Sequence, residues 1–242
     1  MFSSLFESLL RRIYPRLFAL QRINSQDVVW IRSIRHVENV PFNGDSRRTS
    51  IMETMIGKHS FQLGIESGTW VGNTTQWLVK HLPRVISIEY DKGLLGVANL
   101  RLGLIEHLEL RYGSSEDILP MLINQHRDKC LFVYLDAHDR QTEPPLGKEL
   151  AAISKHQNIL VAIDDFRIPG TPFGFGTYAG VALDIAYLRR YVPNDIVVYG
   201  PSYPCDELTG KKRGWVVFAI GPIAADLHSN AKQLGLMVLH QQ

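Results

Sequence analysis

Short apolar runs alternate with amphipathic helical patterns along most of the chain after residue 60. The apolar runs lie at 61–66, 85–90, 107–112, 130–135, 159–164, 195–199 and 214–221, and the helical patterns lie at about 73–81, 92–103, 115–126, 145–156 and 178–191. This alternation predicts a parallel sheet covered by helices on both faces. The last two runs are separated by a polar turn from Ser202 to Arg213, so we expect them to pair antiparallel. The pattern therefore predicts a doubly wound α/β fold of seven strands, mostly parallel, with an antiparallel last strand.

The first 60 residues follow a different pattern. Large apolar residues fall on one helical face within the first 18 residues, and Pro15 should kink or divide this helix. A second helical pattern lies at about 47–58. We therefore expect an N-terminal helical extension over 1–59 and one domain over 60–242. The apolar face is expected to pack on this domain or on a second copy in a homodimer, and peripheral membrane contact is the less favoured alternative.

Composition limits the classes of partner. The chain has 242 residues, 45% of them hydrophobic, and a formal net charge of +2. So small a charge gives no strong attraction to nucleic acid, and no apolar run reaches the ~18 residues of a membrane span. Cys130 and Cys205 lie far apart and form no metal-type cluster. Two isolated thiols suit a reducing compartment, so we expect a cytoplasmic protein.

The stretch 62–75 carries the most informative chemistry. It reads as a strand that ends at Glu66, a turn bracketed by Gly68 and Gly72, and a helix. Glycine lets a backbone lie against a ligand, and a helix start offers free N–H groups. A dinucleotide-binding turn would read Gly-x-Gly-x-x-Gly, whereas here Trp70 stands between the two glycines. The Glu66 carboxylate would repel a pyrophosphate but accept a hydrogen bond from an ammonium, which favours S-adenosylmethionine.

Polar residues follow the next strands at the edge where doubly wound sheets bind ligands. The second strand ends in Glu89, which can accept bonds from both hydroxyls of a ribose, while Asp91 can cap the next helix. Ser114 and Ser115 follow the third strand and can bond an adenine, cap the helix after them, or do both. The candidate cofactor-binding residues are Glu66, Gly68, Thr69, Gly72, Thr74, Glu89, Tyr90, Ser114, Ser115 and Asp136.

Acidic residues end the fourth and fifth strands. Asp136 follows the fourth strand, and Asp164 and Asp165 follow the fifth. Carboxylates placed side by side repel one another unless a cation or protons intervene, and hard oxygen ligands suit Mg²⁺ or Mn²⁺. We therefore predict a metal site at these three residues, with helix capping by Asp164 or Asp165 as the alternative. His138 and Asp136 are the candidate catalytic residues, with His138 as the base. The alternatives for His138 are that it binds the metal itself or that it contacts the residues that bind the metal.

These motifs resemble those of class I S-adenosylmethionine-dependent methyltransferases. The resemblance covers about 60–221 and rests on Glu66-x-Gly68-x-Trp70-x-Gly72, Ile88-Glu89, Leu135-Asp136 and Ile163-Asp164-Asp165. Within that class the chain is most similar to the metal-dependent O-methyltransferases, such as catechol O-methyltransferase and the macrocin-type antibiotic-sugar enzymes. The resemblance implies a Rossmann-like sheet, Mg²⁺ at the three aspartates, ribose at Glu89 and the methionine part near Gly68. The catechol enzymes carry an asparagine where Asp165 stands, which favours a non-catechol acceptor.

The function predicted from these features is Mg²⁺-dependent O-methylation of a small molecule, such as a sugar or a polyketide-like compound. The alternative is a binding or assembly protein that keeps the fold without turnover. A nicotinamide-dependent oxidoreductase is disfavoured because the dinucleotide fingerprint is missing. The loop 166–178 is expected to move as a lid. The aromatic residues expected to line the acceptor pocket, or else an oligomer interface, are Phe173, Phe175, Tyr178 and Tyr203.

Overall fold

The computed structural model describes residues 40–138, 143–207 and 210–240. Within these ranges the helices are α1 (Ser46–Lys58), α2 (Asn73–His81), α3 (Lys92–Leu102), α4 (Ser115–Gln125), α5 (Leu146–Ile153), α6 (Ile185–Leu188) and α7 (Pro222–Asn230). The strands are β1 (Leu63–Ser67), β2 (Val85–Glu89), β3 (Leu108–Tyr112), β4 (Leu131–Leu135), β5 (Ile159–Ile163), β6 (Thr177–Tyr178), β7 (Val181–Ala182), β8 (Val198–Pro201), β9 (Val216–Ile220) and β10 (Leu236–Val238). The predicted N-terminal amphipathic helix lies outside the described residues. None of the described helices is long and apolar enough to cross a bilayer.

Eight strands form one sheet in the order β10-β8-β9-β5-β4-β1-β2-β3. The five strands from β5 to β3 in this order are parallel, whereas β9 is antiparallel to both β5 and β8. The predicted doubly wound α/β fold and the antiparallel pairing of the last two predicted strands are therefore confirmed. The predicted count of seven falls one short, because the three-residue strand β10 pairs antiparallel with the edge of β8. So short a strand gives little apolar periodicity to recognise.

The helix predicted over 178–191 is wrong in its first half. Residues 177–182 form a hairpin of β6 and β7, and the helix is reduced to the four residues of α6. Ala179 and Gly180, at the tip of the hairpin, both have positive φ angles, +47° and +80°. A helix cannot pass through two such residues. Helix α6 begins only at Ile185, after Asp184, whose side chain caps it.

The core lies on both faces of the central strands and includes the first described helix. Every residue of β1, β2, β4 and β5 is buried, as expected for parallel strands covered on both faces. Helix α1 begins where the side chain of Asp45 accepts a hydrogen bond from the Arg48 N–H at 2.9 Å. It buries Ile51, Met52 and Met55 in the same core as the sheet. Helix α1 therefore packs with the sheet, and the proposed boundary at residue 59 stays a prediction.

Candidate active site

The carboxyl ends of β1, β4 and β5 meet at one edge of the sheet. Ser67 pairs with Leu135, and Leu135 pairs with Ile163. The N–H of Asp136 donates to the Ser67 carbonyl, and the N–H of Asp164 donates to the Leu135 carbonyl, both at 2.9 Å. The ladder thus continues one residue beyond each strand. This register brings together the predicted site residues that follow the three strands.

The turn after β1 depends on two glycines with positive φ angles, +87° at Gly68 and +82° at Gly72. A Cβ atom at Gly68 would lie 2.5 Å from the carbonyl oxygen of Asp136, and one at Gly72 would lie 2.7 Å from a methyl group of Leu102. Close packing within the protein therefore requires both glycines. Trp70, between them, also has a positive φ of +48° and keeps 46% of its surface exposed. Its indole is thus accessible at the front of the turn.

Glu66 is buried beneath this turn. Its Oε2 accepts hydrogen bonds from the hydroxyls of Thr75 and Ser87, both at 2.5 Å, whereas its Oε1 has no hydrogen-bond partner. Burial raises the pKa of Glu66 to about 8, although the two hydroxyls act to lower it. Oε1 has no accessible surface in this arrangement, so the predicted contact of Glu66 with an ammonium stays a prediction.

Both carboxylate oxygens of Glu89, the last residue of β2, accept hydrogen bonds from backbone N–H groups. Its Oε2 accepts from the N–H of Trp70 at 2.7 Å, and its Oε1 accepts from the N–H of Asp91 at 2.9 Å. Burial raises its pKa, which these amide bonds act to lower. Each carboxylate oxygen retains a second lone pair, so Glu89 can still accept bonds from a ribose. Asp91 caps α3, as predicted, and Tyr90 is largely exposed.

The remaining predicted cofactor contacts lie in or near the turn. Thr69 Oγ1 lies 2.6 Å from Ser87 Oγ, and Thr74 Oγ1 accepts from the Phe42 N–H at 3.3 Å. These two threonines therefore brace the turn from within the protein. Ser114 is the N-cap residue of α4 but makes no side-chain cap bond, and Ser115 is buried. Their contact with an adenine stays a prediction.

Asp164 is fully buried, and four donors surround its carboxylate. Oδ1 accepts from Arg48 Nη1 and from the Asp165 N–H, both at 2.8 Å. Oδ2 accepts from Tyr134 Oη at 2.7 Å and from Asn43 Nδ2 at 3.0 Å. A carboxylate offers about four lone-pair sites. All of them are thus used by the protein.

Asp165 is also paired within the protein. Its Oδ1 forms an ion pair with the guanidinium of Arg213, and its Oδ2 accepts from Tyr178 Oη at 2.6 Å. Burial acts to raise the pKa of Asp165, but these partners lower it more, so the pKa lies below its ordinary value. Arg213 reaches this position because it precedes β9, in which Val216 pairs with Ile163 at the end of β5.

His138 and Asp136 form a close pair beside these carboxylates. His138 Nε2 lies 3.0 Å from Asp136 Oδ1 and 3.8 Å from Asp165 Oδ2, and its ring packs on Tyr178 with 4.5 Å between centroids. Burial and the charge of Asp164 raise the pKa of Asp136 to about 6, although His138 acts to lower it. Burial lowers the pKa of His138, but the carboxylates raise it more, so the pKa is raised overall. Each of the two side chains therefore favours the charged form of the other.

The predicted Mg²⁺ site does not fit these contacts. The lone pairs of Asp164 are used, and Asp165 is paired with Arg213. In the part of the chain that the structure describes, no group of three or more His, Cys, Asp or Glu side chains is arranged to hold a metal ion. The carboxylate repulsion expected from the sequence is instead relieved by guanidinium groups. Metal binding at Asp136, Asp164 and Asp165 stays a prediction that these contacts oppose.

The predicted acceptor surface is wrong for two of its four aromatic residues. Phe173 and Tyr203 belong to the buried core and pack edge to face with 6.1 Å between centroids. Tyr178 is also buried, but its hydroxyl reaches Asp165 at the site. Phe175, 38% exposed, retains an open surface.

The loop expected to act as a lid is tied down at two points. Gly174 donates to the Lys212 carbonyl, and Gly176 donates to the Asp165 carbonyl, each at 2.8 Å. Opening this loop would break both hydrogen bonds. The free lid motion predicted from its glycines is therefore not favoured by this arrangement.

The sequence-based prediction missed Arg48, Tyr134, Arg213 and Asn43. Arg48 lies three and four residues before Ile51 and Met52, so it shares their buried helical face. An arginine among the apolar positions of this helical face was the available signal that a buried charge needs a partner. Tyr134 was a second signal, since it lies two residues before Asp136, on the same side of the strand, in an otherwise apolar run.

Comparisons with known proteins agree with this architecture. No family model matches the chain. A catechol O-methyltransferase of Niastella koreensis is 34% identical over 79 residues, which is 30% of this chain, and the match spans only 36% of that relative's length. The O-methyltransferase TomG of Streptomyces achromogenes, involved in tomaymycin synthesis and solved with SAM, is 18% identical with a TM-score of 0.53 over 83% of this chain and 92% of that chain. An O-methyltransferase of Bacillus cereus solved with SAH is 14% identical with a TM-score of 0.53 over 86% of this chain and 97% of that chain. The chain thus has the fold of the class I S-adenosylmethionine-dependent methyltransferases and resembles the O-methyltransferases among them.

Proposed function

We propose that the chain binds S-adenosylmethionine and transfers its methyl group to a hydroxyl of a small molecule, such as a sugar or a polyketide-like compound. The observation that carries the proposal is the His138–Asp136 pair, 3.0 Å apart, at the same sheet edge as the Gly68 turn. When bound, the cofactor supplies a methyl group on a positively charged sulfur.

Three residues in or beside the turn support the choice of cofactor. The Oε1 of Glu66, unpartnered but buried beneath the turn, would meet the ammonium of the methionine part if the turn opens when the cofactor binds. The remaining lone pairs of Glu89 are suited to the ribose hydroxyls. The exposed indole of Trp70 offers an apolar and π surface beside the turn. Each of these features matches a different part of one cationic nucleoside.

The chemical step assigned to the protein is a proton transfer. In its neutral form, His138 takes the proton of the acceptor hydroxyl at Nδ1, the ring nitrogen that does not face Asp136, as that oxygen takes the methyl group and the sulfonium becomes a thioether. The carboxylate of Asp136 stabilises the imidazolium that forms, and the ring of Tyr178 holds the imidazole in place. Since His138 is almost fully buried, the site limits competition from water. Most of the remaining acceleration comes from positioning the two reactants.

A binding protein without turnover is the second candidate. It is favoured by one observation, namely that Asp164 and Asp165 are already paired with Arg48 and Arg213. In such a protein the carboxylates serve only to hold the sheet edge together. Cofactor binding without transfer to any hydroxyl compound would support this candidate.

The test uses the full chain, methyl-labelled S-adenosylmethionine and a panel of hydroxylated sugars, phenols and polyketide-like compounds. Transfer of label and formation of S-adenosylhomocysteine are both measured. His138→Gln is expected to lower the rate by about 10²-fold or more while cofactor binding, followed by calorimetry, is retained. His228→Gln is the matched control, because His228 bonds Tyr199 and no residue of the site. Label transfer at the normal rate by the His138→Gln protein would contradict the role of this base.

A further inference from the structure

We infer that Arg48 and Arg213 occupy the place of a divalent cation in this site, so that methyl transfer by this chain requires no metal ion. This inference rests on the proposed function and specifies its cofactor requirement. It is carried by the contacts of the carboxylates themselves. Three acidic side chains stand at the sheet edge, and the protein provides a cationic partner for each.

The first cationic partner comes from helix α1. Arg48 Nη1 lies 2.8 Å from Asp164 Oδ1, and both side chains are fully buried. Arg48 Nη2 also donates to Tyr134 Oη at 3.1 Å, and that hydroxyl donates to the other oxygen of Asp164. Phe42, Tyr134 and Trp215 lie 5.2–5.4 Å from the guanidinium. Packed on all sides, this arginine cannot leave to admit a hydrated ion without disrupting the core.

The second cationic partner comes from the segment before β9. Arg213 pairs with Asp165, and its side chain is 28% exposed. Gly174 donates to the Lys212 carbonyl and accepts from the Gly214 N–H, both at 2.8 Å, which fixes the backbone on either side of Arg213. His138 completes the set by lying within 4 Å of both Asp136 and Asp165.

Two of the three carboxylates are neutralised by arginine without a metal. A guanidinium remains protonated at any pH the enzyme meets, so two positive charges are permanent in the site. A divalent ion would have to approach these two cations, displace hydrogen bonds from Asp164, whose lone pairs are used, and break the pair of Asp165 with Arg213. Such a site has a fixed positive charge that does not depend on the concentration of free metal ions.

The experiment measures binding of Mn²⁺ alone to the full chain by calorimetry and by the paramagnetic resonance signal of free Mn²⁺. We expect no stoichiometric binding by the wild type. Arg213→Gln removes the accessible guanidinium and should raise Mn²⁺ affinity by about tenfold or more. The double variant Arg213→Gln/Asp165→Asn should lose that gain. Arg84→Gln, which breaks a surface pair with Glu109, is the matched control and should bind as the wild type does.

Two results of the Mn²⁺ titrations would overturn the inference. One is tight stoichiometric Mn²⁺ binding by the wild type that Asp165→Asn abolishes. The other is an Arg213→Gln protein that binds Mn²⁺ no better than the wild type, because the guanidinium would then not be what excludes the ion. S-adenosylmethionine binding and label transfer are measured separately with excess chelator and with added Mg²⁺. Equal rates support the inference, and a rate that needs Mg²⁺ refutes it. Absence of cofactor binding in both conditions would refute the proposed function, while the Mn²⁺ titrations still decide how the carboxylates are neutralised.

Discussion

Arg48 and Asp164 form a buried ion pair that joins helix α1 to the end of β5, with 2.8 Å between Nη1 and Oδ1 and side chains 1% and 0% exposed. The two residues lie 116 positions apart in the sequence. Water cannot compensate either charge, so each depends on the other and on Tyr134 and Asn43. The pair thus links the segment before the sheet directly to the candidate site.

Arg48→Met is expected to lower the free energy of unfolding by about 3–5 kcal/mol, because it leaves the Asp164 carboxylate buried without its cation. Urea unfolding of the full chain measures this loss. Adding Asp164→Asn should recover a large part of it, since the second substitution removes the uncompensated charge.

Arg84→Gln again serves as the control for this measurement. Its pair with Glu109 lies at the surface, and such pairs contribute about 0–1 kcal/mol. If Arg48→Met cost no more than Arg84→Gln, the buried pair would not be a structural element of the fold.

Gly68→Ala should destabilise the protein and weaken cofactor binding together. The added Cβ would meet the Asp136 carbonyl at 2.5 Å, and the backbone there has a φ of +87°, so we expect a cost of at least about 1–2 kcal/mol. Gly57→Ala is the contrasting variant. It lies in α1 with no atom within 4 Å of the new Cβ and no positive φ, and should stabilise the helix by roughly 0.5–1 kcal/mol. Unfolding curves that move in the same direction for both variants would contradict this account.

The sequence was sufficient to predict the parallel sheet and the location of the acids. Runs such as 159–163 are apolar throughout because both faces of a central parallel strand are covered. Asp136 and Asp164 follow such runs directly, so strand register alone brings them together. This information is local in the sequence, so it can be read without knowledge of the tertiary structure.

The partners of those acids could not be predicted in the same way. Arg48 arrives from a helix before the sheet, and Arg213 arrives from the segment before an antiparallel strand. Sequence spacing says nothing of which distant cation meets which carboxylate, and the metal prediction assumed that none did. Likewise, burial of Phe173 and Tyr203 depends on how two long loops fold back on the core, which residue type alone does not specify.

Glu89→Gln is expected to weaken S-adenosylmethionine binding by about 1.5–3 kcal/mol, as hydrogen bonds to a charged acceptor are lost. Calorimetric titration measures the change. Glu109→Gln is the control. Glu109 lies on β3, pairs with Arg84 and Arg111, and makes no contact with the turn between Gly68 and Gly72. Equal affinities of the two variants would mean that Glu89 only orients the backbone of Trp70 and Asp91.

Glu149 gives the fold a stability that depends on pH. This side chain of α5 is buried, and its Oε1 has no partner. Burial raises its pKa from 4.5 to about 7, although the hydroxyls of Ser115 and Ser67 and the charge of His138 act to lower it. In the unfolded chain the carboxyl loses its proton near its ordinary pKa, while the folded protein keeps the proton. The resulting stabilisation is fully present below about pH 4.5 and is lost as the pH rises through about 7.

Glu149→Gln imitates the protonated form, so the variant should not lose stability from this group as the pH rises. Relative to the wild type, its free energy of unfolding should increase between pH 5 and pH 7 by roughly 2 kcal/mol. Urea unfolding of both proteins at several pH values in this window measures the difference. Glu66, with a pKa raised to about 8, acts with the same sign, so the variant should still lose some stability as the pH rises. A difference between wild type and variant that stayed constant from pH 5 to pH 7 would show that Glu149 is ionised in the folded protein, and that a compensating donor reaches its free oxygen.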